Sequence, residues 1–469
     1  MTESVQTACD LTAARIARAC GGRIVCGDAN ATALGVCTDT RSLAAGEAFF
    51  ALRGRNHDGH DYLPVAAAAG ASIFVIERMG ALPADATVVQ VEDTERALLA
   101  LAAWHRRQLS ARIVAVTGSC GKTTVKDMTG DVLSRAARCA VAPASYNNRI
   151  GVALTLLSAS ATHDFVVVEM GTNHPGEIDE LARAVHPDVG VITTISEAHL
   201  EGLGSLEGVR EAKAELIPHL SEAGALVLNA DEPRCASLAE RFGGRRLTFG
   251  LEASATARLE RVAPTDDGWT FDMLGERFSL PVGGRYNVMN AAAALCAVTA
   301  LGIPPAAARE ALARFRPPAL RYERRTIEDV AFILDCYNSN PTALRAAVES
   351  FLREPCTGKR ILVCGDMLEL GPAGPRLHRA AGEALAEAGL DALIAIGELS
   401  AETLAGWRER AGAERPGLHF SSPEEAWHPL WLTARHGDAV LVKGSNGMHM
   451  DRIVERIAAH LESARREVA

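Results

Sequence analysis

The sequence predicts an α/β protein of three units, two of them parallel sheets covered by helices on both faces. From Arg112 onward, near-continuous apolar runs alternate with amphipathic stretches, the pattern of strands buried on both sides. Pro317 and Pro318, in RFRPPALR, interrupt that alternation, which then resumes. The length, 469 residues, corresponds to about two to four domains of ordinary size. The expected units are 1–109, 110–317 and 318–469.

The first unit holds strand-like runs at GEAFFAL (46–52) and ASIFVIE (71–77). It closes on a helix in EDTERALLALAAWHRRQ, whose Leu98, Leu101, Ala102 and His105 share a face. In the second unit RIVAVTG, DFVVVEMG, DVGVITTI and GALVLNAD read as strands. Its helices include KTTVKDMTGDVLSRAAR, with Val125, Met128, Val132 and Leu133 on one stripe, and GEIDELARAV, with Ile178, Leu181 and Val185. The third unit repeats the scheme: VAFILD, RILVCGD, ALIAIG and AVLVKGS as strands, with TALRAAVESFLRE, LHRAAGEALAEAG and MDRIVERIAAHLE among the helices.

Composition narrows the function. Hydrophobic residues make up 48% and charged residues 23%, enough to bury a core. A net charge of -10 has the wrong sign for counterion-release binding, so no nucleic-acid partner is expected. The first residues do not follow a signal-peptide plan, and the apolar run after Asn290 meets Gly302, Pro304 and Pro305 too soon to span a membrane. Eleven scattered cysteines without a CxxC suit neither a disulfide framework nor a thiolate zinc site, so a reducing, cytoplasmic setting is expected.

The most specific local feature is TGSCGKTT, Thr117 to Thr124, directly after an apolar strand and before an amphipathic helix. Gly118 and Gly121 let the backbone turn its N–H groups inward, Lys122 can reach phosphates, and a Thr hydroxyl can ligate magnesium. Val116 stands where the longer GxxxxGK[ST] loop begins, so this loop is short; an ordinary Gly-containing turn is the bland alternative. Glu169 ends a buried strand, either as a magnesium ligand beside the loop or as a helix-capping carboxylate. His199 lies in SEAHLEGLGS at the same rim, a surface residue or a ligand. Lys213 sits within the apolar stripe of Val209, Ala212, Leu216, Ile217 and Leu220, where a lysine either snorkels to water or is drawn into a site. Asn287 and Asn290 begin an Ala-rich helix after Gly-Gly, as caps or as amide contacts. Asp335, at the end of VAFILD, leads into CYNSNP, a turn or a place to hold a ribose.

Taken in order, these motifs resemble the Mur ligases, ADP-forming enzymes that add amino acids to the cell-wall precursor UDP-N-acetylmuramic acid. SYNNRIGVALTLL, EMGTNHPGEI, AHLEGLGS, LDCYNSNP, CGDMLELG and VKGSNGM resemble the member that performs the last addition, and CTDTRSLAAGEAFFALRG with DGHDY resembles the family's UDP-binding domain. The resemblance implies an N-terminal UDP-binding α/β domain, a central P-loop ATPase-like domain and a C-terminal Rossmann-like domain. It implies ATP and Mg2+, UDP-MurNAc-tripeptide and D-alanyl-D-alanine as substrates, and a monomer. It assigns Gly118, Ser119, Cys120, Gly121, Lys122, Thr123, Thr124, Asn290, Arg321 and Asp335 to ATP, and Thr123, Glu169, His199 and Lys213 to the metal. Lys122, Lys213 and His199 become the catalytic set, with Lys213 carried as a carbamate. Asp39, Thr40, Arg41, Asn147 and Asn148 are assigned to the UDP-sugar substrate. Tyr286 replaces the family's usual His in GxHNxxN, and Asn446 its Arg after VKGS. The rivals are a folylpolyglutamate synthase, an earlier Mur ligase, and a nucleotide-binding scaffold without catalysis.

Overall fold

The structure, a computed structural model, describes residues 5–468 apart from positions 55 and 413. It contains three α/β units. The first is a six-stranded sheet in the order Val5–Thr12, Thr32–Cys37, Ala48–Phe50, Ile73–Ile76, Thr87–Gln90, Arg23–Cys26. The four inner strands run parallel and the two edges antiparallel. Helix Thr94–Arg106 starts at Asp93, whose carboxylate accepts the Arg96 N–H, and buries Leu98, Leu101, Ala102 and His105 as their spacing predicts. The His105 ring donates through Nε2 to the carbonyl of Ala159, 2.7 Å away, and so fastens this helix to the next unit.

The central unit is a seven-stranded parallel sheet, ordered Ala257–Arg258, Arg245–Gly250, Ala225–Asn229, Val189–Ile192, Arg112–Thr117, Phe165–Glu169, Cys139–Val141. Successive residues of its strands feed opposite cores: Ile113 and Ala115 with Val166 and Val168 on one face, Val114 and Val116 with Val167 on the other. Helix Lys122–Ala136 covers the second face beside the Ala-rich helix Tyr286–Ala300; Arg149–Ser158, Glu177–Val185 and Leu206–Ala214 contribute to the first. The register pairs Val116 with Glu169 and Thr117 with Ile192, so three strands end level with one another. That level edge positions the site.

Two features depart from the sequence reading. The helix carrying Lys213 stops at Ala214; Leu216, Ile217 and Leu220 are buried from a separate 3-10 turn, Ile217–His219, because Pro218 has no N–H to continue an α-helix. Residues 260–280 form a small antiparallel sheet of three strands, Glu260–Thr265, Gly268–Met273 and Glu276–Leu280.

The third unit orders its six strands Glu323–Ile327, Val330–Leu334, Ala439–Lys443, Arg360–Gly365, Ala392–Ile396, Gly417–Phe420. All pair in parallel except the first, which forms a hairpin with Val330–Leu334. Among the described residues no helix is long and apolar enough to cross a membrane, and ten cysteines are free thiols.

Candidate active site

The level carboxyl edge of the central sheet faces the third unit across a cavity of about 420 Å³. Its floor is the loop between strand Arg112–Thr117 and helix Lys122–Ala136. Gly118 and Gly121 have φ of 139° and 82°, a backbone that favours glycine. A Cβ on Gly118 would stand 2.0 Å from Thr193 Oγ1, and one on Gly121 2.3 Å from Asn290 Oδ1, so neighbours close on the loop from two sides. Ser119 is held to Ser196 by paired bonds, its hydroxyl donating to the carbonyl and accepting the N–H. No side chain caps the N-terminus of the following helix, which opens its positive end toward the cavity. The Lys122 ammonium folds back over the loop and donates to the Gly118 carbonyl at 2.8 Å.

Thr123 is the hub. Its hydroxyl donates to Glu169 Oε2 at 2.7 Å, accepts from Arg321 Nη2 at 2.8 Å, and lies 3.1 Å from Ser145 Oγ. Because its single proton goes to a carboxylate, which only accepts, Ser145 must donate to it. Asn147 Nδ2 donates to the other oxygen of Glu169 at 2.8 Å, so a carboxylate 1% exposed has a neutral donor on each oxygen.

The amines set the electrostatics. Burial lowers the pKa of Lys122, opposed by the charge of Glu169. Lys213 is wholly buried, its Nζ has no hydrogen-bond partner among the described residues, and its pKa is pushed well below a lysine's ordinary value, first by desolvation and then by Lys122. It does not snorkel. His199 takes a left-handed backbone (φ 54°) at the head of a short turn, and its Nδ1 lies 2.6 Å from Glu369 Oε2 of the third unit. Among the described residues no three His, Cys, Asp or Glu side chains converge as a metal site. Glu169 and His199 line the cavity together with the Thr123 hydroxyl, whereas Lys213 does not.

The third unit supplies the opposite wall. Arg321 sits between Leu320 and Tyr322, both at left-handed φ near 60°, and stacks over the Tyr337 ring at 4.2 Å while it reaches Thr123. Lys443 lies 3.1 Å from an Asp335 oxygen and donates to the carbonyls of Asp335 and Asn338, which fixes the CYNSN turn. The Tyr286 phenol is pushed up by burial and then by Asp335, so it remains a proton donor beside that carboxylate. Asn340 caps helix Pro341–Phe351 and donates through Nδ2 to Cys120 Sγ at 3.2 Å. Asn290 donates to Asn287, which bonds back to the Gly283 carbonyl; neither serves as a simple cap.

The sequence-derived residues divide accordingly. Ser119 to Thr124, Asn147, Asn148, Glu169, His199, Asn290, Arg321 and Asp335 line one cavity, with Gly118 against it through Lys122. Asn148 also caps helix Arg149–Ser158 through the Gly151 N–H. Asp39, Thr40 and Arg41 do not line it: they follow strand Thr32–Cys37 in the first unit, where Arg41 and Asp39 pair with each other. The sequence reading passed over Ser145, Tyr337, Glu369 and Lys443, whose contacts all cross long chain separations.

Three family models match the chain: "Mur ligase family, catalytic domain" over residues 33–106, "Mur ligase middle domain" over 116–298, and "Mur ligase, glutamate ligase domain" over 320–446. The UDP-N-acetylmuramoyl-tripeptide--D-alanyl-D-alanine ligase of Bacillus subtilis is 35% identical over 425 residues, 90% of this chain and 92% of the relative. The chain belongs to the Mur ligase family. A crystal structure of MurF from Acinetobacter baumannii matches with a TM-score of 0.87 at 29% identity, covering 95% of this chain and 98% of that one. The MurF ligase from Thermotoga maritima, solved in complex with ADP, matches at 0.79 and 27% identity, covering 92% and 98%. This Mur ligase shares its three-unit α/β fold with those structures.

Thr123→Val keeps the shape of the hub and removes its hydroxyl. Glu169 then loses a buried donor, and stability in urea should fall by about 1–3 kcal/mol. An unchanged unfolding midpoint would refute the hub.

Proposed function

We propose that this Mur ligase joins D-alanyl-D-alanine to UDP-N-acetylmuramoyl-tripeptide, with ATP converted to ADP and phosphate, as a cytoplasmic monomer of peptidoglycan synthesis. The observation that carries this reading is the phosphate loop, with Lys122 folded onto Gly118 and Thr123 tied to Glu169 on one side and to Arg321 of the third unit on the other. The 35% identity to the named ligase over 90% of the chain supports the substrates. The proposed unit boundaries fall at 109/110 and 317/318.

In the first step a tripeptide carboxylate oxygen attacks the γ-phosphorus and the bond to ADP breaks. Such a transfer asks the protein chiefly for charge neutralisation and in-line positioning. Lys122, the loop N–H groups and Arg321 neutralise the phosphates, while Asn290 and Asp335 hold the nucleoside end. Asn147 and Asn148 meet the acid substrate, whose UDP end lies at Asp39, Thr40 and Arg41. In the second step the amine of D-alanyl-D-alanine attacks the acyl carbon, phosphate leaves and the nitrogen loses a proton. Lys122 and Arg321 face the oxyanion that passes between. Closure of the third unit, through Arg321 on Thr123 and Asn340 on Cys120, excludes water from the acyl phosphate.

The residues fit a magnesium ion. Thr123, Glu169 and His199 offer hard oxygen and imidazole donors, and the buried, unpartnered Lys213 amine becomes an anionic oxygen donor once it adds carbon dioxide. When bound, the ion supplies charge neutralisation at the phosphates. Lys213 suits carbamate formation because burial and the charge of Lys122 push its pKa down and so favour the neutral, nucleophilic form of the amine.

Phosphate release from ATP should require both UDP-MurNAc-tripeptide and D-alanyl-D-alanine; release with either alone would sink the reading. Lys213→Met should lower kcat at least about a hundredfold. For the unmodified amine the folded-state pKa lies below the unfolded one, so its burial costs stability below the folded value and ceases to as pH rises toward 10.5. Lys213→Met should therefore melt no lower than wild type assayed without carbon dioxide at neutral pH. A clear drop in midpoint would show that the amine has a partner.

A further inference from the structure

Lys126 stands one helical turn beyond Lys122, yet it points away from the phosphates and is 1% exposed. Its ammonium donates to the carbonyls of Ala142 at 2.7 Å and Ala144 at 2.6 Å and lies 2.8 Å from Asp127 Oδ1. Three protons meet three acceptors, a complete charge-assisted set.

What this ammonium grips is the segment between strand Cys139–Val141 and helix Arg149–Ser158. Ala144 within it has φ 44°, a left-handed backbone that a residue with a Cβ adopts at a cost. The next residue, Ser145, gives its hydroxyl to Thr123 and lies 3.5 Å from Arg321 Nη2. Two residues on, Asn147 donates to Glu169 and accepts the Gly171 N–H. Ser145 and Asn147 both line the cavity; Lys126 does not.

We propose that Lys126 is a positioning residue that clamps the 142–147 segment to the phosphate-loop helix, and that the Ser145 hydroxyl it presents faces the transferring phosphoryl group beside Thr123. The clamp fixes the distance between the wall that holds phosphates and the wall that meets the acid substrate. This inference rests on the ligase reading for the identity of the two substrates.

Three variants of the full chain test it: Lys126→Met, Ala144→Gly and Ser145→Ala, each assayed with ATP, UDP-MurNAc-tripeptide and D-alanyl-D-alanine beside wild type. Lys126→Met should lower kcat by about tenfold or more and raise KM for the tripeptide substrate several-fold, with KM for ATP within about twofold. Ser145→Ala should lower kcat, and adding it to Lys126→Met should cost less than about twofold more, because the clamp acts through that hydroxyl. Ala144→Gly relieves the left-handed backbone while loosening the segment, so kcat should fall by about threefold with no fall in melting temperature. That split separates positioning from mere stability, and it holds even if Lys126→Met fails to fold. Wild-type kcat in Ala144→Gly, or equal losses of stability and activity in it, would overturn the proposal. A wild-type chain that turns over only with both substrates, beside variants that match it, overturns the role of Lys126 alone; a wild type inactive with both overturns the ligase reading.

Discussion

One electrostatic imbalance governs this site: the Lys122 ammonium and the Arg321 guanidinium share the buried carboxylate of Glu169 beside an uncapped helix N-terminus. Lys122 feels the charge of Glu169 and of Arg321, which reaches Thr123, and Lys122 in turn pushes the buried Lys213 amine further down than burial alone. One carboxylate charge cannot balance two cations, and the donors on its two oxygens, Thr123 and Asn147, are neutral. Such a pocket is costly without an anion and favours one that arrives with several negative charges. A polyphosphate and a peptide carboxylate, brought to the same point, relieve the imbalance.

The fold converts that imbalance into geometry through strand ends. Because Val116 pairs with Glu169 and Ile192 with Thr117, the phosphate loop, the carboxylate and the Thr193–His199 loop emerge at one level without long connections. Thr123 then links this edge to elements that the sheet does not control. Its hydroxyl joins the phosphate-loop helix to strand Phe165–Glu169, to the Ser145 segment and to Arg321. One small side chain thus reports on four pieces of chain, whose positions must agree before the site is complete.

Local features were legible in the sequence and distant ones were not. The phosphate loop and Glu169 could be read because strand, turn and helix follow one another within a few residues. Lys213 could be noticed because a charge interrupted an apolar stripe, though the stripe itself was misdrawn: Pro218 divides it between a helix and a separate turn. The antiparallel sheet at 260–280 went unread: its turns are Asp266-Asp267 and Leu274-Gly275, the latter at left-handed φ of 54° and 78°, and only Gly275 signals that turn in the sequence. Arg321 meeting Thr123, or Lys443 holding Asp335, leaves no periodicity, since each joins residues more than a hundred positions apart. For Arg321 only the family resemblance gave notice. Ser145 and Glu369 lay inside motifs that carried the resemblance, SYNNRIGVALTLL and CGDMLELG, without a role of their own, and Lys126 had no notice at all, because a lysine in a helix is unremarkable until the fold places it.

The contacts between the central and third units are mostly isolated polar pairs: Arg321 to Thr123, Asn340 to Cys120, Thr342 to Glu197, Glu369 to His199, and Ser350 accepting the Arg285 N–H. The apolar cores stay within units, with only Leu200 and Tyr286 of the central unit packed against the third unit's core. An interface of this kind gains little from buried area and is made or broken cheaply. By contrast, the first unit is joined to the central one by a continuous apolar core that runs from Ile16 and Leu101 to Leu156 and Leu181. The two joints therefore differ in stiffness for a reason visible in their side chains. The apolar joint holds the first unit at a fixed distance from the phosphate loop. The polar joint brings Arg321, Asn340 and Glu369 onto Thr123, Cys120 and His199 by single contacts, each of which can be exchanged for water at little cost.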